Sequence, residues 1–163
     1  MNDKTDEAEH YFTERPKSMG KYGLVRAYMR GRAFEFFTAS GVFSKKRIDN
    51  GTRLLVESMI LPKEGYALDI GCGYGAVGII AAAIQPDLEV FLVDVNKRAV
   101  WLARQNIEKN RIYNAEAKSG FTYEPVKDLM FDCILSNPPV SAGMQTVRAI
   151  ISEAPEHNLN SNQ

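Results

Sequence analysis

The chain of 163 residues carries 20 basic and 20 acidic side chains, so its formal net charge is zero. Hydrophobic residues make up 45% of the sequence and charged residues 25%, which excludes a disordered chain and is enough for one buried core. No apolar run reaches the roughly 18 residues of a membrane span, and the polar, acidic N-terminus is unlike a secretory signal. With only two cysteines, we expect a cytoplasmic protein with reduced thiols, without a metal cluster and without a membrane partner.

The charge is unevenly distributed along the chain. Between residues 15 and 47, nine basic side chains are opposed only by Glu35, a balance of +8. The basic residues are Arg15, Lys17, Lys21, Arg26, Arg30, Arg32, Lys45, Lys46 and Arg47, and the interleaved aromatic residues are Tyr22, Tyr28, Phe34, Phe36, Phe37 and Phe43. Such a mixture is typical of an RNA-binding surface, because cations neutralise phosphates and aromatic rings stack on bases. The alternative is a solvated hairpin face whose aromatic residues pack on the core.

A β-hairpin, a loop and a helix are predicted ahead of the first core strand. Leu24–Met29 and Ala33–Thr38 have the composition of paired strands, with a turn between them. Polar start signals from Asp49 onwards precede a helix of about 52–60. We therefore interpret residues 1–60 as an N-terminal extension and residues 61–163 as the core.

Strands and helices alternate through the rest of the chain, which predicts an α/β fold with a parallel sheet. The strands are Tyr66–Ile70, Glu89–Asp94, about Ile112–Ala117 and Phe131–Ser136, and the helices are Ala76–Ala83, Lys97–Asn110 and Ala142–Ile151. Open sheets of this kind bind ligands at the carboxyl ends of their strands. The residues that directly follow each strand are therefore the candidate site residues.

A glycine-rich turn follows the first core strand. Gly71, Gly73 and Gly75 permit a sharp turn, and without Cβ atoms they let the main chain approach a ligand at a helix N-terminus. Asp69 precedes this turn by two residues, where its carboxylate could face an ammonium group. This arrangement favours S-adenosylmethionine, which has a cationic amino-acid end, over the pyrophosphate of a dinucleotide.

Two alternatives to this interpretation stay open. Gly73, Gly75 and Gly78 also match the dinucleotide pattern G-x-G-x-x-G, and Asp94 follows at the distance of a ribose-binding acid. The other alternative is a tight turn without a ligand. Asp94 could accept two hydrogen bonds from ribose hydroxyls or could cap the next helix, but Asn96 can provide that cap alone.

An Asn-Pro-Pro turn follows the fourth core strand. The side-chain carbonyl of Asn137 can accept a hydrogen bond from an exocyclic amine, and Pro138 has no N–H, so carbonyls face the substrate. Two acceptors would orient the amine lone pair towards a sulfonium methyl, and no strong base would be needed. Asn137, Pro138 and Pro139 are therefore predicted to be catalytic, while an ordinary Asn-Pro turn is the alternative.

Three segments resemble the methyltransferase small domain family: Gly41–Leu55, Asp69–Gly75 and Ser136–Pro139. The best-known members are guanine-N2 methyltransferases of small-subunit ribosomal RNA, and this chain is most similar to the short archaeal-type members, from about His10 to Leu159. The resemblance implies a seven-stranded, Rossmann-like class I methyltransferase sheet and a lid that includes residues 43–52. The predicted cofactor contacts are Thr52, Asp69, Gly71, Cys72, Gly73, Asp94, Val95, Ser119 and Asn137.

The sequence departs from the family pattern in three places. Ser119, preceded by lysine, stands where the family usually has an acid near the adenine, so Ser119 or backbone groups would have to bind the adenine. Val140 replaces an aromatic residue that often stacks on the base, so stacking would come from elsewhere, such as Phe43, or be absent. The family's last three strands are missing, which would leave Phe131–Ser136 at a sheet edge; a shortened chain and a natural short form both stay open.

The leading hypothesis is an S-adenosylmethionine-dependent N-methyltransferase acting on the exocyclic amine of guanine in RNA, ribosomal RNA above all, bound through residues 15–47. One alternative keeps the chemistry but methylates protein glutamine, which Val140 fits poorly. The other is a non-catalytic binding module or a half-enzyme that needs a partner. The oligomeric state stays open.

Overall fold

In the computed structural model, residues 22–40, 47–138 and 143–159 are described. The chain begins with an antiparallel hairpin of β1 (Tyr22–Met29) and β2 (Arg32–Ala39). The two residues between the strands, Arg30 and Gly31, have φ angles of 52° and 79°. Positive φ at both turn positions is the geometry that matches the twist of a two-residue hairpin. The predicted hairpin is therefore confirmed, with slightly longer strands.

One parallel sheet forms the centre of the molecule. Its strands are β3 (Gly65–Ile70), β4 (Leu88–Asp94), β5 (Ala115–Ser119) and β6 (Cys133–Ser136), and the helices are α1 (Asn50–Ser58), α2 (Ala76–Ile84), α3 (Lys97–Lys109) and α4 (Gly143–His157). The strand order is β5-β4-β3-β6, so β6 lies at an edge among the described residues, as the sequence predicts. The predicted Rossmann-like α/β fold is confirmed.

The predicted start of β5 at Ile112 is wrong, because the chain is still completing α3 there. Arg111 adopts a φ of 55° and donates its N–H to the carbonyl of Glu108 at 3.0 Å. Ile112 donates its N–H to the carbonyl of Ile107, also at 3.0 Å. These two bonds satisfy carbonyls at the helix end and delay the strand until Ala115.

Helix α4 is longer than predicted and ends at His157 rather than Ile151. Beyond it the chain returns alongside the residues that precede β6. The N–H of Phe131 donates to the carbonyl of His157 at 2.7 Å, and the N–H of Leu159 donates to the carbonyl of Phe131 at 2.9 Å. A short parallel bridge therefore covers the beginning of this edge.

Helix α2 is buried along almost its whole length, and its small residues allow it to lie close to β4. A Cβ atom on Gly78 would lie 2.6 Å from Cγ of Leu92, so this position favours glycine strongly. Hairpin residues such as Val25 and Phe36 belong to the same buried cluster as α2. The predicted division into residues 1–60 and 61–163 stays a prediction.

Two asparagines at the C-terminal end of α3 satisfy the outer backbone edge of β2. Phe37 donates its N–H to Oδ1 of Asn106 at 2.6 Å and accepts from Nδ2 of Asn106 at 2.9 Å. Asn110 makes the same pair of bonds with Glu35, at 3.1 and 2.8 Å. The helix thus replaces a neighbouring strand, and the hairpin is held against the core by polar contacts as well as by burial.

The hairpin aromatic residues divide between core and surface. Phe34 and Phe36 are buried, as the core-packing alternative expects, whereas Tyr28 is 73% exposed. Phe43 lies outside the described residues. A stacking surface for bases can therefore involve only some of the aromatic residues in this segment.

Two hairpin arginines contact the ends of helices. Arg30 donates to the carbonyls of Val56 and Met59, each at 3.1 Å, at the C-terminus of α1. Arg32 donates to the carbonyl of Ala83 at 2.7 Å, in the last turn of α2. A cation at a helix C-terminus is favourable because unpaired carbonyls concentrate partial negative charge there. These side chains therefore have a structural role that the charge pattern did not reveal.

Replacing Arg30 by Met should lower the free energy of unfolding by about 1–2 kcal/mol, because two helix carbonyls lose a charged donor. Urea unfolding measures the change. Arg26→Met is the matched control, since Arg26 pairs with Glu35 at the surface and should matter less. Equal effects of the two changes would contradict the helix-capping role.

Candidate active site

The glycine turn is attached to the end of the neighbouring strand. The N–H groups of Gly71 and Cys72 both donate to the carbonyl of Val93, at 2.8 and 3.0 Å. Gly71, Gly73 and Gly75 all have positive φ, at 70°, 56° and 99°. Residues that carry a side chain rarely adopt a positive φ, so glycine is needed to turn the chain from β3 into α2. No described atom lies within 4 Å of the place a Cβ would take on Gly73, which leaves its backbone open to a ligand.

Asp94 ends β4 and supports the glycine turn. Its Oδ2 accepts from the N–H of Gly73 at 2.9 Å, and its Oδ1 accepts from the N–H of Asn96 at 2.8 Å. Asn96 caps α3 by accepting from the N–H of Arg98 at 3.0 Å. The predicted cap at Asn96 is therefore confirmed, while Asp94 accepts from two main-chain N–H groups and also lines a cavity, so its ribose role stays a prediction.

Asp69 is buried beneath the turn, with 2% of its surface exposed. Its Oδ2 accepts from the N–H of Gly78 at 2.9 Å. Burial raises the pKa of Asp69 to about 7; the Gly78 hydrogen bond opposes this rise and the charge of Asp94 adds to it. A carboxyl group with so few partners would gain from a cationic ligand group beside it.

Two adjoining cavities lie at the carboxyl ends of β3, β4 and β6, and Gly71 lines both. The first, the loop cleft, is lined by Thr52, Asp69, Gly71, Cys72, Gly73, Tyr74, Ala76, Val77 and Asn137. The second, the rim cavity, has a volume of about 170 Å³ and is lined by Ile70, Gly71, Val93, Asp94, Val95, Gly120, Phe121, Thr122, Pro138, Thr146 and Ile150. The structure thus gathers most of the predicted site residues at one edge of the sheet.

Two of the predicted residues, Ser119 and Cys72, are in different surroundings from one another. Ser119 is exposed and lines neither cavity, whereas Phe121 and Thr122, which follow it, line the rim cavity. Pro139 lies outside the described residues. Cys72 is buried in the loop cleft, and burial raises the pKa of its thiol well above the usual value. Phe121 follows β5 closely, so the carboxyl-end rule could have found it.

Asn137 is held by the N-terminus of α1. Its Nδ2 donates to Oγ1 of Thr52 at 3.0 Å and, in a longer contact, to Oδ1 of Asp49 at 3.4 Å. The side-chain nitrogen is therefore occupied by acceptors. Oδ1 is left as the group that can accept from a ligand in the loop cleft.

Tyr74 was missed by the sequence analysis because its position within the glycine motif suggested only a turn. Its ring packs on Phe36, with centroids 5.7 Å apart, and 3% of its surface is exposed. The hydroxyl has no hydrogen-bond partner among the described residues. Burial, assisted by the charge of Asp49, raises its pKa, so the hydroxyl remains a donor. A buried donor without a partner is costly, and a ligand acceptor in the cleft would relieve that cost.

Other kinds of site find no support in the described segments. Within them, no group of three or more His, Cys, Asp or Glu side chains could hold a metal ion. None of the helices there is long and apolar enough to cross a membrane.

A parallel sheet with this glycine turn, an acid at the end of the second strand and an Asn-Pro turn after the fourth defines a class I S-adenosylmethionine-dependent methyltransferase. The chain belongs to the methyltransferase small domain family, whose model matches residues 33–162. A Bacillus subtilis protein, YbxB, is 40% identical over 152 residues, which cover 92% of this chain and 76% of that protein.

Two relatives with assigned activities are much longer than this chain. Ribosomal RNA small subunit methyltransferase C of Hamiltonella defensa is 37% identical over 124 residues, or 74% of this chain and 36% of that protein. The solved 16S rRNA N2 G1207 methyltransferase of T. thermophilus, in complex with AdoMet and guanosine, is 26% identical with a TM-score of 0.76, over 88% of this chain and 41% of that one. The chain therefore spans well under half the length of these relatives.

Family and structural likeness confirm the predicted class and the predicted cofactor, S-adenosylmethionine. The residues present fit that cofactor: the buried Asp69 suits an ammonium group, Tyr74 offers a free donor, and Asp94 lies at the rim cavity. The roles of individual residues stay predictions.

Cofactor affinity should depend on pH through Asp69. Because its pKa is about 7 in the ligand-free protein, binding of an ammonium group should weaken as pH falls from 7.5 to 5.5, by up to about tenfold per unit. In the ligand-free protein, the stability due to neutral Asp69 is full below about pH 4 and is lost as pH rises through 7. Calorimetry with S-adenosylhomocysteine tests the affinity. Asp69→Asn should remove the fall in affinity at low pH. A fall that persists in this variant would exclude Asp69 as its cause.

Proposed function

We propose that the chain is part of, or constitutes, an S-adenosylmethionine-dependent N-methyltransferase that acts in the cytoplasm on the exocyclic amine of guanine in RNA, ribosomal RNA above all. The observation that carries the proposal is the Asn137 amide, whose nitrogen is held by Thr52 and whose oxygen is left for the loop cleft. This acceptor lies in the same cleft as Asp69 and the glycine turn.

The cofactor would be held across both cavities. Asp69 and the turn would bind its amino-acid end in the loop cleft, and Asp94 its ribose hydroxyls in the rim cavity. Val95 and Phe121 would bind the adenine there, because they provide exposed apolar surface beside Asp94. When bound, S-adenosylmethionine supplies an electrophilic methyl group on a sulfonium.

The chain's own residues would position the acceptor amine. Asn137 Oδ1 would accept one N–H of the amine, and a main-chain carbonyl of the Asn137-Pro138 segment would accept the other. Proline has no N–H that could compete for the same place. Holding both hydrogens fixes the direction of the nitrogen lone pair. Positioning of this kind can supply a large part of the rate enhancement without a general base. The nitrogen would gain the methyl group as the methyl–sulfur bond breaks, releasing S-adenosylhomocysteine, and the surplus proton of the nitrogen would pass to solvent water.

An RNA acceptor is supported by two observations. Ribosomal RNA methyltransferases recur among the relatives, and one solved relative contains guanosine. In addition, Arg47 and Arg53 are exposed at either side of the α1 N-terminus that contacts Asn137. A glutamine side chain presents the same pair of N–H donors, so a protein acceptor is the alternative outcome of the test.

Asn137→Ala should reduce turnover on the order of 10²–10³-fold while S-adenosylhomocysteine affinity stays close to that of the unchanged protein. The assay supplies labelled S-adenosylmethionine with ribosomal subunits, transfer RNA or protein extract, followed by nucleoside analysis. The expected product is N2-methylguanosine. Ser136→Ala is the matched control, since its hydroxyl donates to the carbonyl of Ile70 and lines neither cavity. Labelled glutamine, with unlabelled RNA, would refute the RNA substrate.

RNA binding should depend on salt through the basic residues that precede α1 in the chain. The slope of log affinity against log salt is negative. Replacing Lys45, Lys46 and Arg47 by Gln should make it less steep, by roughly 0.7–0.9 for each phosphate that is no longer neutralised. The control replaces three cations outside residues 15–47: Lys63, Lys127 and Arg148. Arg30 and Arg32 are left unchanged because they support helix ends. A slope that both triple variants leave unchanged would remove this segment from the RNA interface.

A further inference from the structure

We infer that Asp49 is a positioning residue for methyl transfer, which sets the orientation of the Asn137 side-chain amide through Thr52. This inference rests on the proposed function, because it explains how Asn137 comes to present an acceptor to the substrate amine. From the sequence, Asp49 is expected as a start signal of a helix and as part of the lid over residues 43–52, with no role towards Asn137.

The hydroxyl of Thr52 joins Asp49 to Asn137. Oγ1 donates its single hydrogen to Oδ2 of Asp49 at 2.7 Å. With that hydrogen already donated, the hydroxyl can only accept from Asn137, and Nδ2 of Asn137 lies 3.0 Å away. Oδ1 of Asp49 adds a second, weaker acceptor for the same nitrogen at 3.4 Å. A carboxylate has no hydrogen to donate, so Asp49 sets the direction of both hydrogen bonds. We call this chain from Asp49 through Thr52 to Asn137 the relay.

The Asn137 amide also lies in close contact with the backbone of α1. Gly51 lies between Asp49 and Thr52, and a Cβ atom there would lie 2.9 Å from Oδ1 and 3.2 Å from Nδ2 of Asn137. The amide therefore lies directly against the first turn of α1. Since Asp49 also caps this helix, accepting from the N–H of Thr52 at 3.0 Å, the helix end and the amide are held by one carboxylate.

Orientation matters because the two ends of an amide have opposite hydrogen-bonding character. With the observed orientation, Oδ1 of Asn137 meets the N–H of an acceptor amine. With the reverse orientation, an NH₂ group would meet that N–H, and two donors would face each other. The relay links residues that are 88 positions apart in the sequence, so the N-terminal extension would contribute directly to the chemistry.

Asp49→Asn tests the relay with little change in shape. Its Oδ1 can still cap α1, since asparagine is as good a cap as aspartate. Its NH₂ would, however, donate to Thr52, whose hydroxyl hydrogen would then point to Asn137 and favour the reversed amide. Turnover should fall on the order of 10- to 100-fold, with S-adenosylhomocysteine affinity within about twofold and an unchanged melting temperature. Unchanged turnover, or a fall explained wholly by weaker cofactor binding, would overturn the inference.

A second pair of variants covers the case in which Asp49→Asn fails to fold. Thr52→Val keeps the shape but removes the hydroxyl, whereas Thr52→Ser keeps the hydroxyl. We expect the valine variant to lose turnover, and the serine variant, which keeps the hydroxyl that donates to Asp49, to lose much less. A purely structural role, in which only the methyl group matters, would leave the valine variant as active as the unchanged protein and would overturn the inference.

A readout without catalysis separates this inference from the proposed function. The side-chain NH₂ signals of Asn137, identified by their absence in Asn137→Ala, should exchange slowly with water in the unchanged protein. Asp49→Asn and Thr52→Val should shift them and speed their exchange. If these changes occur but no acceptor is methylated, the proposed function fails and the relay stands. If the signals do not respond, the relay is wrong whatever the substrate.

Discussion

The hydrogen bonds of the buried Asn106 amide are the interaction on which the arrangement of the hairpin, α3 and the glycine turn depends. The amide pairs with both backbone groups of Phe37 in the hairpin and donates a further bond to the carbonyl of Tyr74 in the glycine turn, at 2.8 Å. The residue is completely buried, so breaking any of these bonds would leave an unsatisfied polar group at a cost of about 1–3 kcal/mol. One side chain therefore joins the hairpin, α3 and the glycine turn.

This arrangement explains why the hairpin and α1 bear on the active site. The hairpin supports Tyr74 from behind through Phe36, and Arg30 attaches the hairpin to the C-terminal end of α1. The opposite end of α1 carries Asp49 and contacts Asn137. A perturbation of the hairpin would thus reach both the glycine turn and the proposed acceptor-binding group.

The electrostatics of the site suit a reaction that relies on position rather than on proton transfer. Asp69 is buried with a pKa of about 7, so a cationic ligand would stabilise its charged form. Asp94 uses part of its carboxylate to hold Gly73 and also lines the rim cavity. Two neighbouring carboxylates favour a ligand with a positive charge and with hydroxyl donors, which S-adenosylmethionine combines.

The parallel sheet, the glycine turn and the edge that bears the site were predictable from the sequence, because each follows from a pattern within a short stretch of the chain. Alternating strands and helices predicted the parallel sheet, and glycines between a strand and a helix predicted the tight turn. Since parallel strands end at one edge, the positions of Asp69, Asp94 and Asn137 at the ends of three strands sufficed to predict that they would converge, and they do. Asn96 was likewise recognisable as a cap from its position alone.

Tertiary structure decided the contacts between segments that are distant in the chain. The charge pattern presented Arg30 and Arg32 as part of one basic surface, and only packing brought them to the carbonyl ends of α1 and α2. Packing likewise placed Phe121 rather than Ser119 at the rim cavity and joined Asp49 to Asn137. Hydrogen bonds depend on distance and direction, and for residues separated by tens of positions both are set by how the elements pack. The sequence alone therefore determined the class of protein and the edge at which its site lies, while the tertiary structure determined which atoms there are free to act.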